Sequence, residues 1–281
     1  MPRRPPKKPD PTVDLSRHFL EAAALPSPCD PRSLFATPQP VELEVGSGKG
    51  LFLATASASR PDRNFLGIEI AAGYARLAAG KLAAAAAANA RMIHGDGTAL
   101  VRDVFPAACL EAVHVYFPDP WWKARHRKRR VLSDPFLRQV ARVVVPGGRL
   151  HVWTDVEEYF NETLELAAAT GLFDPPVEEA AKDPEHDLDY RTHFERRTRL
   201  AGAPVWRAAL VVRGVDAGST HSSLQHDPAA GLAGPGAELG GTLAASAATR
   251  QSRSLRGHGH VASASLPAAT ARARSGTVRP R

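Results

Sequence analysis

The 281-residue sequence predicts an α/β fold, a doubly wound and mostly parallel sheet with helices on both faces. Three observations predict it. Short apolar runs alternate with helical stretches from about residue 40 to residue 213. The first run enters a glycine turn, Gly46-Ser47-Gly48-Lys49-Gly50, that leads straight into a helix. Carboxylates then recur where successive runs end, at Glu69, Asp96 and Asp119.

In chain order, 1–39 is a flexible, basic, proline-rich arm, with one short amphipathic helix expected over Leu15–Leu25. Either an RNA contact or an inert leader suits its composition. Pro40–Val45 is the first strand and Leu51–Arg60 the helix after the turn. Phe65–Ile70 is a second strand, and Ala72–Ala88 is rich in the best helix former. Arg91–His94 is a third strand, entering Gly95-Asp96-Gly97, with a helix over Thr98–Phe105. Ala112–Phe117 is the fourth strand. Ser133 or Asp134 caps a helix running to about Val144, with Pro135 in its first turn. Pro146-Gly147-Gly148 is expected as a turn, and Arg149–Trp153 as a strand ending at Thr154-Asp155. A helix over Val156–Ala169 stops at Gly171, and Pro204–Val212 alternates as a last strand. From Val215 onward there is no Phe, Tyr, Trp, Ile, Met or Lys, so 214–281 is a low-complexity tail expected to be disordered. A reading frame carried past its natural stop would have the same composition.

Composition narrows the function. A net charge of +7 favours an anionic partner, nucleic acid ahead of a membrane surface. No apolar run is long enough to span a bilayer, and no secretory signal opens the chain. Cys29 and Cys109 stand far apart and match no metal spacing, which points to a reduced, cytoplasmic setting with no metal site.

The most informative stretch is Phe117 to Arg130, FPDPWWKARHRKRR. It sets a carboxylate between two prolines, follows it with two tryptophans, and then runs through Lys123, Arg125, His126, Arg127, Lys128, Arg129 and Arg130. An acid beside flat aromatic surface and dense cations is equipment for holding a nucleobase and gripping its phosphates. The strand Val113–Phe117 delivers that acid to a strand end, where α/β active sites lie.

The glycine turn, Glu44-x-Gly46-x-Gly48-x-Gly50, suits a nucleotide cofactor. Lys49 is followed by Gly50 rather than Ser or Thr, which excludes a phosphate P-loop. Glu69, nineteen residues beyond Gly50, is placed to accept both ribose hydroxyls, and Asp96 to accept from an adenine amino group. NAD and S-adenosyl-L-methionine both use such sites. Three features favour the latter: the glycine pattern is GxGxG, Glu44 would repel a pyrophosphate but suits an ammonium, and four acids suit a sulfonium cation.

With these motifs together, the sequence resembles the bacterial tRNA (guanine-N7-)-methyltransferases. The similarity runs from Val41 to Val212 and is carried by LEVGSGKG, the GIE of the second strand, the GD after the third, FPDPWWKARHRKRR, the TD after the fifth, and Thr192-His193-Phe194-Glu195. It implies a Rossmann-like class I methyltransferase fold with a seven-stranded sheet plus disordered tails, and methyl transfer from S-adenosyl-L-methionine to N7 of the variable-loop guanine, position 46, of tRNA. Carried over residue by residue, Glu44, Gly46, Gly48, Gly50, Glu69, Asp96 and Asp119 are cofactor contacts, with Asp119 also the catalytic acid. Lys123, Asp155, Thr192, His193, Phe194 and Glu195 are substrate contacts, and Arg125, His126, Arg127, Lys128, Arg129 and Arg130 face RNA. Thr198 departs from the family, which usually has Gly there.

Among the acids, Asp119 is the first choice at the reacting base, with Asp155 and Glu195 as alternatives for base recognition. Phe117, Trp121 or Trp122 could stack on that base. The expected partner is tRNA, the expected assembly a monomer or homodimer, and no membrane is involved. The competing readings are an exocyclic-amine methyltransferase on RNA or DNA and a nicotinamide-dependent oxidoreductase.

Overall fold

Period-two alternation sorts the strand residues between two cores. In a computed structural model, which describes residues 12–180 and 190–214, the strands are β1 (Phe19–Glu21), β2 (Val41–Val45), β3 (Asn64–Glu69), β4 (Ala90–His94), β5 (Leu110–Tyr116), β6 (Val144–Thr154), β7 (Val177–Glu178) and β8 (Trp206–Val211). The helices are α1 (Leu51–Ser59), α2 (Ala72–Ala84), α3 (Gly97–Asp103), α4 (Asp134–Val143), α5 (Glu157–Thr170) and α6 (His193–Leu200). One sheet runs β1-β4-β3-β2-β5-β6-β8-β7, parallel from β1 to β6, with β8 antiparallel to both β6 and β7.

Val41, Leu43 and Val45 of β2, with Val113 and Val115 of β5 and Leu150 and Val152 of β6, pack with α3, α4 and α5. Phe65, Met92, Tyr116 and Trp153 pack with α1 and α2. Because side chains alternate between faces, Glu42 and Glu44 of β2, His114 and Tyr116 of β5 and His151 of β6 share that second face. Chain order reverses between β2 and β5, so the crevice beyond their carboxyl ends is where such a sheet takes a ligand.

Three expectations need correction. Among the described residues the sheet has eight strands rather than seven. The strand β1 comes from the expected arm: residues 12–39 do not hold a helix over Leu15–Leu25 but enter the domain, with β1 paired parallel to β4 (Phe19 beside Met92). The Met92 amide donates to the His18 carbonyl at 2.8 Å, and the Arg76 guanidinium lies 4.5 Å above the Phe19 ring. The Pro146-Gly147-Gly148 stretch is no free turn either. It lies within β6 as an irregularity, with Gly147 at φ +81; just past the end of β8, the Val212 carbonyl accepts from the Gly147 amide and the Val212 amide donates to the Gly148 carbonyl. The first eleven residues of the arm and the tail from 215 lie outside the described residues. Both cysteines are buried free thiols, and burial pushes Cys109 up to about 12. Among the described residues no helix is long and apolar enough to cross a membrane.

Candidate active site

The glycine turn follows from where β2 must stop. Gly46, Gly48 and Gly50 have φ of +82, +53 and +68, a region open to glycine at little cost. At Gly50 space is also decisive, since a Cβ there would come within 2.7 Å of the Ala78 Cβ. The Gly46 and Ser47 amides donate to the Ile68 carbonyl, and the Gly48 amide to Glu69 Oε2 at 2.8 Å. The turn is thereby tied to the end of β3.

Beside it lies a cavity of about 470 Å³, walled by Glu44, Gly46, Gly48, Tyr116, Phe117 and Phe194 among others. Glu44 is 2% exposed, and among the described residues its Oε2 has no hydrogen-bond partner. Burial, with the nearby charge of Glu69 adding to it, pushes its carboxyl up to about 8. A buried carboxyl with an unpartnered oxygen at the wall of a cavity is a site for a cation that donates hydrogen bonds and draws off its proton.

The other acids hold different posts. Glu69 is buried, and its two oxygens accept from the Gly48 and Ala71 amides, both at 2.8 Å. Asp96 caps α3, its Oδ1 accepting from the Thr98 amide, the Thr98 hydroxyl and the Ala99 amide, which lowers its pKa although partial burial opposes this. Asp119 is exposed and makes no hydrogen bond or ion pair among the described residues. The prolines flanking it are themselves bracketed by Phe117 at φ +49 and Trp121 at φ +44, conformations that side chains other than glycine seldom adopt. Phe117 stacks on Phe194 with centroids 5.5 Å apart, joining the motif to the start of α6. Of the expected contacts, Glu44, Gly46, Gly48, Thr192, His193 and Phe194 therefore meet at the cavity. Gly50, Glu69, Asp96, Asp119, Lys123, Asp155 and Glu195 are not in its wall.

The basic run divides. Arg125 and Lys128 are exposed on a short 3-10 helix, Ala124–Arg129. Arg127 pairs with Glu158 at 3.0 Å and Glu162 at 3.1 Å on α5. Arg129 stacks over Trp121 at 5.0 Å, and His126 meets the same ring edge-on at 5.8 Å. Arg130, expected to face RNA, is buried instead. It donates to the Pro120 carbonyl at 2.7 Å, pairs with Glu162, and covers the Tyr159 ring at 4.6 Å. The two tryptophans also part: Trp121 is half-buried under these cations, whereas Trp122 is 64% exposed.

Glu195, expected as a substrate contact, is likewise internal. It is buried, accepts from the Arg191 amide at 2.7 Å, and pairs with Arg207 at 3.3 Å and Arg199 at 3.4 Å. With Thr192 accepting from the Glu195 amide at 2.9 Å, it locks the first turn of α6. Asp155 and Lys123 are exposed, Asp155 directly after β6. Thr198, the departure from the family pattern, is buried in α6, and its carbonyl accepts from the Ala201 and Ala203 amides.

A family model described as "Putative methyltransferase" matches residues 38–208, the span that holds every wall of this cavity. The tRNA (guanine-N(7)-)-methyltransferase of Rhodopirellula baltica is 49% identical over 213 residues, covering 74% of this chain and 79% of its own. This chain belongs to the tRNA (guanine-N7-)-methyltransferase family. Family members of the same name from Bordetella parapertussis and Yersinia enterocolitica are 37% and 35% identical over 181 residues, each covering 64% of this chain and respectively 70% and 76% of their own.

In this methyltransferase the sequence reading missed a buried polar relay beneath the cavity. Arg191 donates to the Tyr116 hydroxyl at 2.9 Å, and that hydroxyl lies 2.8 Å from His114 Nδ1. His114 Nε2 lies 2.9 Å from Glu42 Oε2, and Arg60 pairs with Glu42 at 2.7 Å. Burial drives His114 down to about 3, so it is neutral. Burial opposes ionisation of Glu42, but His114 and Arg60 outweigh it and hold the acid at about 2. These charges assign the protons: Nε2–H donates to the carboxylate, and Nδ1 accepts from Tyr116. His151 stacks on His114 at 4.6 Å and bonds Glu179 Oε1 at 2.6 Å, and the Trp153 indole donates to Glu179 Oε2 at 2.5 Å. The available signal was polar residues at alternate positions of two apolar strands that pair, Glu44 lying beside His114 in register.

Proposed function

We propose that this chain transfers a methyl group from S-adenosyl-L-methionine to N7 of the variable-loop guanine, position 46, in tRNA, acting in the cytoplasm as a monomer or homodimer. One observation carries the reading: the buried Glu44 carboxyl, whose Oε2 has no hydrogen-bond partner among the described residues, lies in the wall of a cavity whose aromatic side is the Phe117–Phe194 stack, from which the exposed Asp119 follows two residues on. The 49% identity to a protein named for this reaction supports it across the same residues.

S-adenosyl-L-methionine, when bound, supplies an electrophilic methyl on a positively charged sulfur. Glu44, with Gly46, Gly48, Glu69 and Asp96, would hold it. The cavity fits: its glycines leave open space where side chains would stand, and its buried acid lacks a counter-cation. Guanine N7 presents an in-plane lone pair and has no proton to lose, so no residue need act as a general base. The methylated ring gains positive charge, and Asp119 stabilises it as it develops. Phe117 and Phe194 form the flat wall that orients a ring. Thr192 and His193 line the same cavity, and Glu195 fixes their backbone by clamping the helix start. Lys123 and Asp155 meet the substrate outside the cavity, Lys123 leading into the exposed Arg125 and Lys128.

The test is methyl transfer to tRNA transcripts with and without the variable-loop guanine, followed by nucleoside mass analysis. Formation of 7-methylguanosine only with that guanine is expected. An N-methylated exocyclic amine, or no product, would refute the reading.

A further inference from the structure

The cavity is electrically two-ended. Glu44 is buried in its wall, yet the same wall carries Lys49, His193 and Arg197. Lys81 joins them from α2: its ammonium donates to the Lys49 carbonyl at 2.8 Å. The Arg197 guanidinium is fixed 4.0 Å over the Phe194 ring. These residues come from the glycine turn, α2 and α6, not from the basic segment that follows β5.

Elsewhere many arginines are neutralised, while others, such as Arg17, Arg91 and Arg149, stand apart from this cluster. Arg60 pairs with Glu42, Arg127 with Glu158 and Glu162, Arg138 with Asp134, Arg207 with Glu195 and Arg213 with Asp174. Among the described residues Lys49, Lys81, His193 and Arg197 have no carboxylate partner. Burial first, and then mutual repulsion, lowers the pKa of both Lys81 and His193, with Lys49 acting on each. A fold that gathers unneutralised cations on one edge has left them an anion to meet.

Two anions come into question, a carboxylate of a small molecule within the cavity and the phosphates of a polynucleotide crossing its mouth. Lys81 is not in the cavity wall, so the cluster reaches beyond what a small molecule inside it would touch. We infer that Lys49, Lys81 and Arg197 form a second phosphate-gripping edge for tRNA, separate from Arg125 and Lys128, so that the RNA is held on both the glycine-turn and β5 sides of the reacting base. The inference rests on the tRNA reading above.

The experiment measures tRNA binding to the full chain against salt concentration, for the wild type, Lys81→Gln with Arg197→Gln, and the charge-keeping Lys81→Arg with Arg197→Lys. Each phosphate contact removed lowers the log–log salt slope by about 0.9. The double Gln variant should lose about 2 from that slope and bind about tenfold or more weakly near 0.15 M salt. The charge-keeping pair should retain the slope. S-adenosylhomocysteine affinity, measured on the same samples and on Lys81→Gln alone, also reports that the variants are folded, and should change less than about twofold for Lys81→Gln, whose residue lies outside the cavity wall. An unchanged slope in the Gln variant overturns the inference. Loss of S-adenosylhomocysteine binding with an unchanged slope also overturns it, by giving the cluster to the cavity ligand. If the wild type fails to methylate N7, the functional reading fails with it; if it methylates while the slope stays unchanged, only the second edge is lost.

Discussion

Glu44 makes binding of a cationic ligand a proton-releasing event. Its carboxyl is held up at about 8 by burial, against an ordinary value of 4.5, and among the described residues its Oε2 has no hydrogen-bond partner. At about 1.4 kcal/mol per pH unit, ionising it in the free protein costs roughly 5 kcal/mol more than in water. At pH 7 about nine-tenths of the free protein therefore carries the proton. An ammonium beside the carboxylate reverses the balance, and the proton leaves as the ligand arrives. Calorimetric titration with S-adenosylhomocysteine, in two buffers of different ionisation enthalpy, counts that proton. The expected release is about 0.9 at pH 7 and close to one at pH 6, whereas an ordinary carboxyl would release less than about 0.01 at pH 7. The same linkage makes apparent affinity at pH 7 about tenfold weaker than for a carboxylate already ionised. Glu44→Gln should abolish the release. A wild-type protein that binds the ligand at pH 7 with no buffer-dependent heat would refute the assignment.

The remaining predictions concern the other charged groups. Asp119→Ala should lower the single-turnover methylation rate about 100- to 1000-fold while tRNA affinity stays within about twofold, because the role proposed for this exposed acid is to stabilise charge that develops only in the transition state. Arg130→Ala should lower unfolding free energy by about 2–4 kcal/mol, as removal of a buried ion-pair partner does. Arg125→Ala with Lys128→Ala should leave the melting temperature unchanged and weaken tRNA binding, read by thermal melting and a binding titration. His114 refuses a proton until about 3 in the folded state but accepts one near 6.5 unfolded, so its contribution to stability falls as pH drops through that window. Glu42 follows the same sign from 4.5 down to about 2. Glu44 has the opposite sign, losing stability as pH rises from 4.5 to about 8. Chemical denaturation across pH should thus show the two trends opposing each other between 4.5 and 6.5, and a steep loss below 4.5 that His114→Gln shallows.

What could be read from the sequence was local. Gly46, Gly48 and Gly50 announce backbone conformations that only their own residues decide, and a carboxylate at a strand end is placed by the strand itself. Arg130 was misjudged because its partner, Glu162, stands 32 residues away, and nothing in a run of cations tells which one turns inward. Glu195 followed the same course, since its pairing with Arg207 depends on β8 returning beside α6. The strand Phe19–Glu21 is three residues long and gains its identity only from β4. His114 looked like one more strand residue until Glu42 and Tyr116 were brought against it. The Phe194 to Phe117 contact, which closes the cavity, likewise needs the whole chain to fold.

Residues 12–39 end as the selvedge of the sheet. The family match begins only at residue 38, which invites trimming the gene there. Such a shortened protein would keep Glu44, Glu69, Asp96 and Asp119 yet bare the backbone of Met92 and its neighbours along a raw margin. Three residues of hem, stitched down by Arg76, now stop another molecule from weaving itself on. Without them the enzyme should clump on storage long before its chemistry falters.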